Sequence, residues 1–341
     1  MRRLLPLVAI ALLAAACSST ADAPPDEIVL VTHDSFAVSE EVLDAMQTAV
    51  GLPVRILQAG DAGTMVNQAI LTKDNPLGDV LFGIDNTFLS RALAADLFLE
   101  YRSPLLDTVS DDLELDPHVT PVDFGDVCLN YDREVLGDIS PSLRDLTEAA
   151  FEGQLVVQNP ATSSPGLAFL MATIVEFGED GDYTWRDYWS DLRDNDVRVD
   201  AGWEQAYYGS FSGGAGEGDR PLVVSYASSP PAEVIFGDPT APAPTGVIEA
   251  GCFRQIEFAG ILTGSNGGEY AEALIDFLLS ETFQEDIPLT MFVFPANQNA
   301  TLPPEFIEHT AIPESPALLD PAAIDANRER WIAEWTETVT R

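Results

Sequence analysis

Residues 27 to 85 alternate short apolar runs with amphipathic stretches, and that alternation leaves few folds open. Glu27 to Thr32 reads as a strand buried on both faces. Ser39 to Val50 follows with Val42, Leu43, Met46 and Val50 at helical spacing, Glu40 and Glu41 at its positive end and Gly51 at its stop. Val54 to Leu57 is a second strand. Gly60 to Thr64 leads into a helix carrying Met65, Val66, Ala69 and Ile70, and Asp79 to Ile84 is a third strand. Strand, helix, strand, helix, strand predicts a mostly parallel sheet with right-handed crossovers.

Three successive strands run into a carboxylate: Asp34, Asp61 and Asp85. Singly, each reads as the N-cap of the helix that follows. Together they line the edge of an open sheet where ligands gather, and there they favour a cationic guest. A second α/β series begins at Leu155 and ends its strand near Asn159. Thr162, Ser163 and Ser164 then stand before an apolar helix from about Gly166 to Phe177. Hydroxyls at free helix N–H groups make an anion-binding arrangement; a plain serine cap with Pro165 at the first helical position is the simpler alternative. An aromatic helix (Trp185, Tyr188, Trp189, Leu192) and a strand from Val197 to Asp200 come next.

Trp203 follows that strand, and Tyr226 closes the β-branched run Leu222 to Tyr226. Two aromatics at strand ends are either half-buried core residues or a stacking surface for a flat, positively charged ligand. Later, Pro288 to Asn297 can bring Phe292 or Phe294 to a cleft. A terminal helix from Pro321 to Thr340 carries Ile324, Trp331, Trp335 and Val339 as a packing stripe.

At 341 residues the chain exceeds the size at which one core keeps growing, and 46% hydrophobic content supports two folded units. Strands near 122–132 and 248–262 would cross between them. The reading is lobe 1 at 27–124 and 256–315, lobe 2 at 125–255, and a helix at 316–341 packing on both, with hinged closure over a solute. At the N-terminus, Arg2 and Arg3 precede an apolar run to Ala16, too short to span a bilayer as a mature helix. Small residues directly before Cys17 predict a lipoprotein signal (1–17) with Cys17 lipidated and 18–26 as a tether; a signal peptide cut at an A-x-A site is the alternative. Export permits Cys128 and Cys252, both in strand-like runs, to pair; two separate buried thiols are the alternative.

No metal site is expected, since neither cysteine has a CxxC partner and only three histidines are present. A net charge of −40, with Lys73 the single lysine, repels nucleic acid and anionic membranes, so a lipid anchor would be the only membrane tie. Enzyme signatures are missing too. There is no G-x-S-x-G elbow, His118 and His309 lie in no catalytic setting, and Gly213 to Gly218 lacks the strand that a phosphate loop needs.

An ordered set of short motifs then becomes specific: Thr32-His-Asp-Ser-Phe, Gly83-Ile-Asp-Asn, Thr162-Ser-Ser-Pro-Gly, Gly202-Trp-Glu-Gln-Ala-Tyr, Ser225-Tyr-Ala-Ser-Ser-Pro, Phe294-Pro-Ala-Asn and Trp331-Ile-Ala-Glu-Trp. Almost end to end after the leader, the chain resembles the thiamine-binding periplasmic proteins of bacterial ABC importers, within the type II solute-binding family. The resemblance implies a two-lobed α/β fold, each lobe a mostly parallel sheet flanked by helices, joined by two crossover strands. It implies thiamine or its phosphate esters as ligand, an ABC permease and ATPase as partners, a monomer, no cofactor and no catalysis. Carried over residue by residue, Trp203 and Tyr226 become ring partners, with Phe292 nearby. Asp34, Asp61 and Asp85 become cleft carboxylates, and Thr162, Ser163 and Ser164 meet the hydroxyethyl or phosphate end. The aromatic cage is thinner than the family's usual one. His33 stands at a usual tyrosine, Glu40 roughly at a tryptophan, Ala232 at a second tyrosine and Phe292 at another tryptophan. The alternative within the same fold is ferric-ion binding through the adjacent Tyr207 and Tyr208.

Overall fold

The computed structural model describes residues 25–237 and 241–339. Cys17, the leader and residues 18–24 of the tether lie outside them. The first three strands are β1 (Ile28–Thr32), β2 (Val54–Gln58) and β3 (Val80–Asp85). β1 lies between the other two and is parallel to both. Its five residues are all buried because helices cover both sheet faces. Ile28 and Leu30 join Val42, Met46, Leu274 and Leu278 on one side, while Val29 and Val31 join Met65, Val66 and Ala69 on the other. The helix Glu40–Val50 starts at a Ser39 cap, and that of Ala62–Leu71 starts at an Asp61 cap.

Seven further strands follow: β4 (Phe98–Leu99), β5 (Thr120–Asp132), β6 (Leu155–Gln158), β7 (Arg198–Asp200), β8 (Leu222–Tyr226), β9 (Thr245–Leu262) and β10 (Phe294–Pro295). All ten belong to one sheet, in the order β2-β1-β3-β9-β5-β8-β6-β7, with β4 on β9 and β10 on β5. The fold is mixed α/β. As expected, each series is parallel (β1 to β3, and β6 to β8) and two long strands cross between them, here stitching both series into one sheet. β5 and β9 run antiparallel along each other from Asp132–Thr245 to Thr120–Ala259, with register shifts near Asp123 and Cys128. One end of β9 pairs with β3, and the Asp132 end of β5 pairs with β8. At 13 and 18 residues they span roughly 40 to 60 Å, long enough to serve both ends of the sheet.

Cys128 on β5 and Cys252 on β9 form a disulfide across this central pair, both buried. The helix Trp185–Asp194 buries Trp185, Tyr188, Trp189 and Leu192. The terminal helix Pro321–Val339 buries Ile324, Trp331 and Trp335, with Trp335 edge-on to Trp189 at 5.4 Å. The aromatic stripe of the tail is core.

Candidate functional site

β1 and β2, parallel to each other, and β6, β7 and β8, parallel among themselves, deliver their following loops to one region, and a cavity of about 320 Å³ opens there. That is at the lower end of the roughly 300–1,000 Å³ usual for small-molecule sites. Its walls include Asp34 and Phe36 after β1, Asp61 after β2, Trp203 after β7 and Tyr226 closing β8. Phe292 and Glu257 complete the opposite side.

Asp61 is the most heavily engaged of these. Oδ1 accepts from Ala62 N at 2.7 Å and from Ser164 N at 3.3 Å, and Oδ2 accepts from Trp203 N at 2.8 Å. One carboxylate thus caps its own helix and receives N–H groups from the second α/β series. Gly202 is required beside it, because a Cβ there would lie 3.0 Å from Asp61 Oδ2. Burial raises the Asp61 carboxyl to about 6, against the Trp203 N–H and the Ser163 hydroxyl, which favour the charged form.

The hydroxyl cluster therefore lies differently from the sequence expectation. Ser164 lines the cavity, but Thr162 and Ser163 do not. Thr162 Oγ1 donates to the Ala201 carbonyl at 2.6 Å, and Ser163 is fully buried beside Asp61. The start of the Ser164–Phe177 helix is already answered by a carboxylate.

Asp85 also departs from expectation. It is fully buried beneath the cavity, where Thr87 Oγ1 donates to it at 2.8 Å and Thr87 N and Phe88 N at 3.2 Å each. Its role is to shape the turn after β3. Burial, with Glu257 adding to it, raises its carboxyl to about 7 against those hydrogen bonds. Asp34 and Asp61 are the two strand-end carboxylates that reach the cavity.

Glu257 and Glu204 supply the other acidic wall, and sequence reasoning missed both. Glu257 pairs in register with Asp85 of β3 and Asp123 of β5, and Gln255 Nε2 bridges its Oε1 (2.9 Å) to Tyr226 Oη (3.0 Å). An acidic residue inside the buried run Ile256 to Ala259 was the signal that could have found it. His33 Nε2 lies 3.5 Å from Glu257 Oε2. Burial lowers the His33 pKa, but Glu257, Asp61 and Asp34 outweigh it and leave it raised. Its ring occupies space kept by Gly83, where a Cβ would come within 2.2 Å of His33 Cδ2.

The ring walls are built on the segment after β7. Trp203 stacks on Tyr207 at 4.9 Å and 19°, and its Nε1 donates to Ser225 Oγ at 2.9 Å. One face is thereby covered, Tyr208 packs against the indole edge to face at 5.6 Å, and the ring is held in place at the cavity wall. Tyr207 is buried, with its hydroxyl donating to Glu233 at 2.8 Å; burial and Glu233 push that phenol well above its ordinary pKa. Tyr208 is raised by burial as well. Among the described residues no group of three or more His, Cys, Asp or Glu is placed to hold a metal ion. No Lys or Arg is among the residues lining the cavity.

The sequence profile of bacterial extracellular solute-binding proteins matches residues 75–312. The chain belongs to that family. Among its relatives is the thiamine-binding periplasmic protein of Escherichia coli K12, 29% identical over 331 residues, which covers 95% of this chain and 97% of the relative. The protein of the same name from Brucella melitensis is 26% identical over 344 residues, covering 99% and 100%. Among solved structures, a periplasmic thiamin binding protein superposes with a TM-score of 0.83 at 27% identity, covering 92% of this chain and 96% of that one. Iron-bound HitA from Pseudomonas aeruginosa superposes at 0.72 and 17% identity, which speaks for the shared fold alone. These relatives are solute-binding proteins, and as a family member the chain presents an acidic, ring-lined cavity of the kind a solute occupies.

Proposed function

We propose that this solute-binding protein captures thiamine, or its phosphate esters, and hands it to an ABC permease and its ATPase. The observation that carries the reading is one cavity with the Trp203 and Tyr226 rings, the carboxylates of Asp34, Asp61, Glu204 and Glu257, and no basic residue but His33. A flat cationic heterocycle gains stacking and cation–π attraction from the rings and charge compensation from the acids. The relatives named for thiamine, matched over almost their whole length, support the same ligand. Asp34, Asp61, Ser164, Trp203, Tyr226 and Phe292 are its direct contacts. Asp85, Thr162 and Ser163 act behind them, through the turn and helix start they build.

Residues 27–124 with 256–315 would move as one lobe against 125–255, with β5 and β9 as the hinge and 316–341 packing on both. The protein works as a monomer, without catalysis, held at the outer face of the membrane through a lipid on Cys17. Titrating intrinsic tryptophan fluorescence with thiamine, thiamine phosphate and ferric citrate tests the reading. Saturable quenching by thiamine is expected; a response to ferric citrate alone would replace this ligand with iron.

A further inference from the structure

Phe236 is 77% exposed, yet it lines the cavity. Of the large apolar side chains left exposed among the described residues, only Tyr208 shares that position. Single exposed apolar residues are ordinary on a surface, but one at the mouth of a binding cavity is available to a ligand. Phe236 directly follows the helix Pro230–Ile235, and its N–H donates to the Ala232 carbonyl at 3.0 Å. Ala232 also lines the cavity, so the two residues lie on one face, a turn apart. A helical side chain leans over the turn before it, and the small Ala232 leaves that space open to the Phe236 ring.

Facing it is Phe292, which comes from the other side of β9 in sequence. The two rings meet edge to face, 5.7 Å apart at 73°. Phe292 holds φ at 56°, a left-handed backbone that a residue with a Cβ adopts at a cost. Strained backbone of this kind concentrates at ligand clamps. Here it turns the Phe292 ring toward Phe236 at the cavity wall.

We propose that Phe236 is a ligand-contacting residue: with Phe292 it forms an outer ring wall that closes over a flat cation seated against Trp203 and Tyr226, and it sets how fast that cation leaves. The proposal rests on the thiamine reading and adds to it a contact outside the strand-end motifs. Its area is exposed in the empty protein and covered in the complex, so its effect falls on release.

The test is stopped-flow tryptophan fluorescence with thiamine as the probe. Phe236→Ala is expected to release thiamine roughly 10- to 100-fold faster, with association changed less than about threefold. Unfolding of the empty variant should match that of the unaltered protein, because the removed side chain is exposed. Phe236→Trp should keep slow release. Release from Phe236→Ala within about twofold of the unaltered rate overturns the proposal. So does Phe236→Trp releasing as fast as the alanine variant. If the unaltered protein fails to bind thiamine at all, the thiamine reading falls and this inference falls with it.

Discussion

Asp61 and Trp203, 142 positions apart in the chain, are joined by a 2.8 Å hydrogen bond from the tryptophan N–H to the carboxylate. The same carboxylate caps the helix after β2 and accepts from Ser164 N. Asp61→Ala removes all three acceptor interactions. A lost cap and unpaired N–H groups predict a loss of about 1–3 kcal/mol in urea unfolding, with a smaller loss for Asp61→Asn, which keeps an acceptor oxygen. Equal midpoints for the unaltered and alanine proteins would refute that role.

Trp203 is fixed by Tyr207 on one face and by Ser225 at its nitrogen, and it lines the cavity, so the proposed ligand would meet a ring already held in place. Trp203→Ala should weaken thiamine binding by ~1–3 kcal/mol, the scale of a lost stacking and cation–π surface. Calorimetry on both proteins measures this. Unchanged affinity would exclude the indole as a ligand contact.

The buried acids at and beneath the site give pH dependences of opposite sign for stability and for binding. Burial raises Asp61 to about 6 and Asp85 to about 7, so the fold keeps protons that the unfolded chain has lost. The folded state binds more protons between about pH 4 and 7, and stability falls as pH rises through that window. His33 is raised as well, with burial opposing and Glu257 prevailing; its contribution is present at low pH and is likewise lost on raising pH. A cation, by contrast, is held best by ionised carboxylates. Thermal unfolding of the empty protein should therefore occur at higher temperature at pH 5.5 than at pH 7.5, while thiamine binds more tightly at pH 7.5. Binding that weakens from pH 5.5 to 7.5 would contradict the assignment of Asp61 to the site.

Much of this was readable from residues alone, and the misses share a cause. The apolar runs of β1 to β3 and the helices between them carry local signatures, and so do Asp61 as a cap and the core stripe of the terminal helix. Asp34 and Asp85 look alike in sequence. What separates them is whether a neighbour such as Thr87 turns back onto the carboxylate, and that is decided by packing. The hydrogen bonds tying Asp61 to Ser164 and Trp203 span more than 100 positions and leave no local trace. β5 and β9 were visible as strands, but their antiparallel union into one sheet depends on long-range pairing. Glu257 was hidden in an apolar strand, and Phe236 at a helix end matched no motif.

The Cys128–Cys252 bond closes a loop of 124 positions between the two central strands. On chain entropy alone, replacing both cysteines by alanine should cost about 4–5 kcal/mol. Urea unfolding of the double variant checks this. A loss below about 1 kcal/mol would mean that strand pairing already restrains those ends in the unfolded chain.

Isothermal titration calorimetry of thiamine into the chain that begins after Cys17 examines the proposed ligand most directly. The expected result is one site per protein, with a dissociation constant at or below about 1 µM. An absence of saturable heat up to roughly 1 mM thiamine would contradict it.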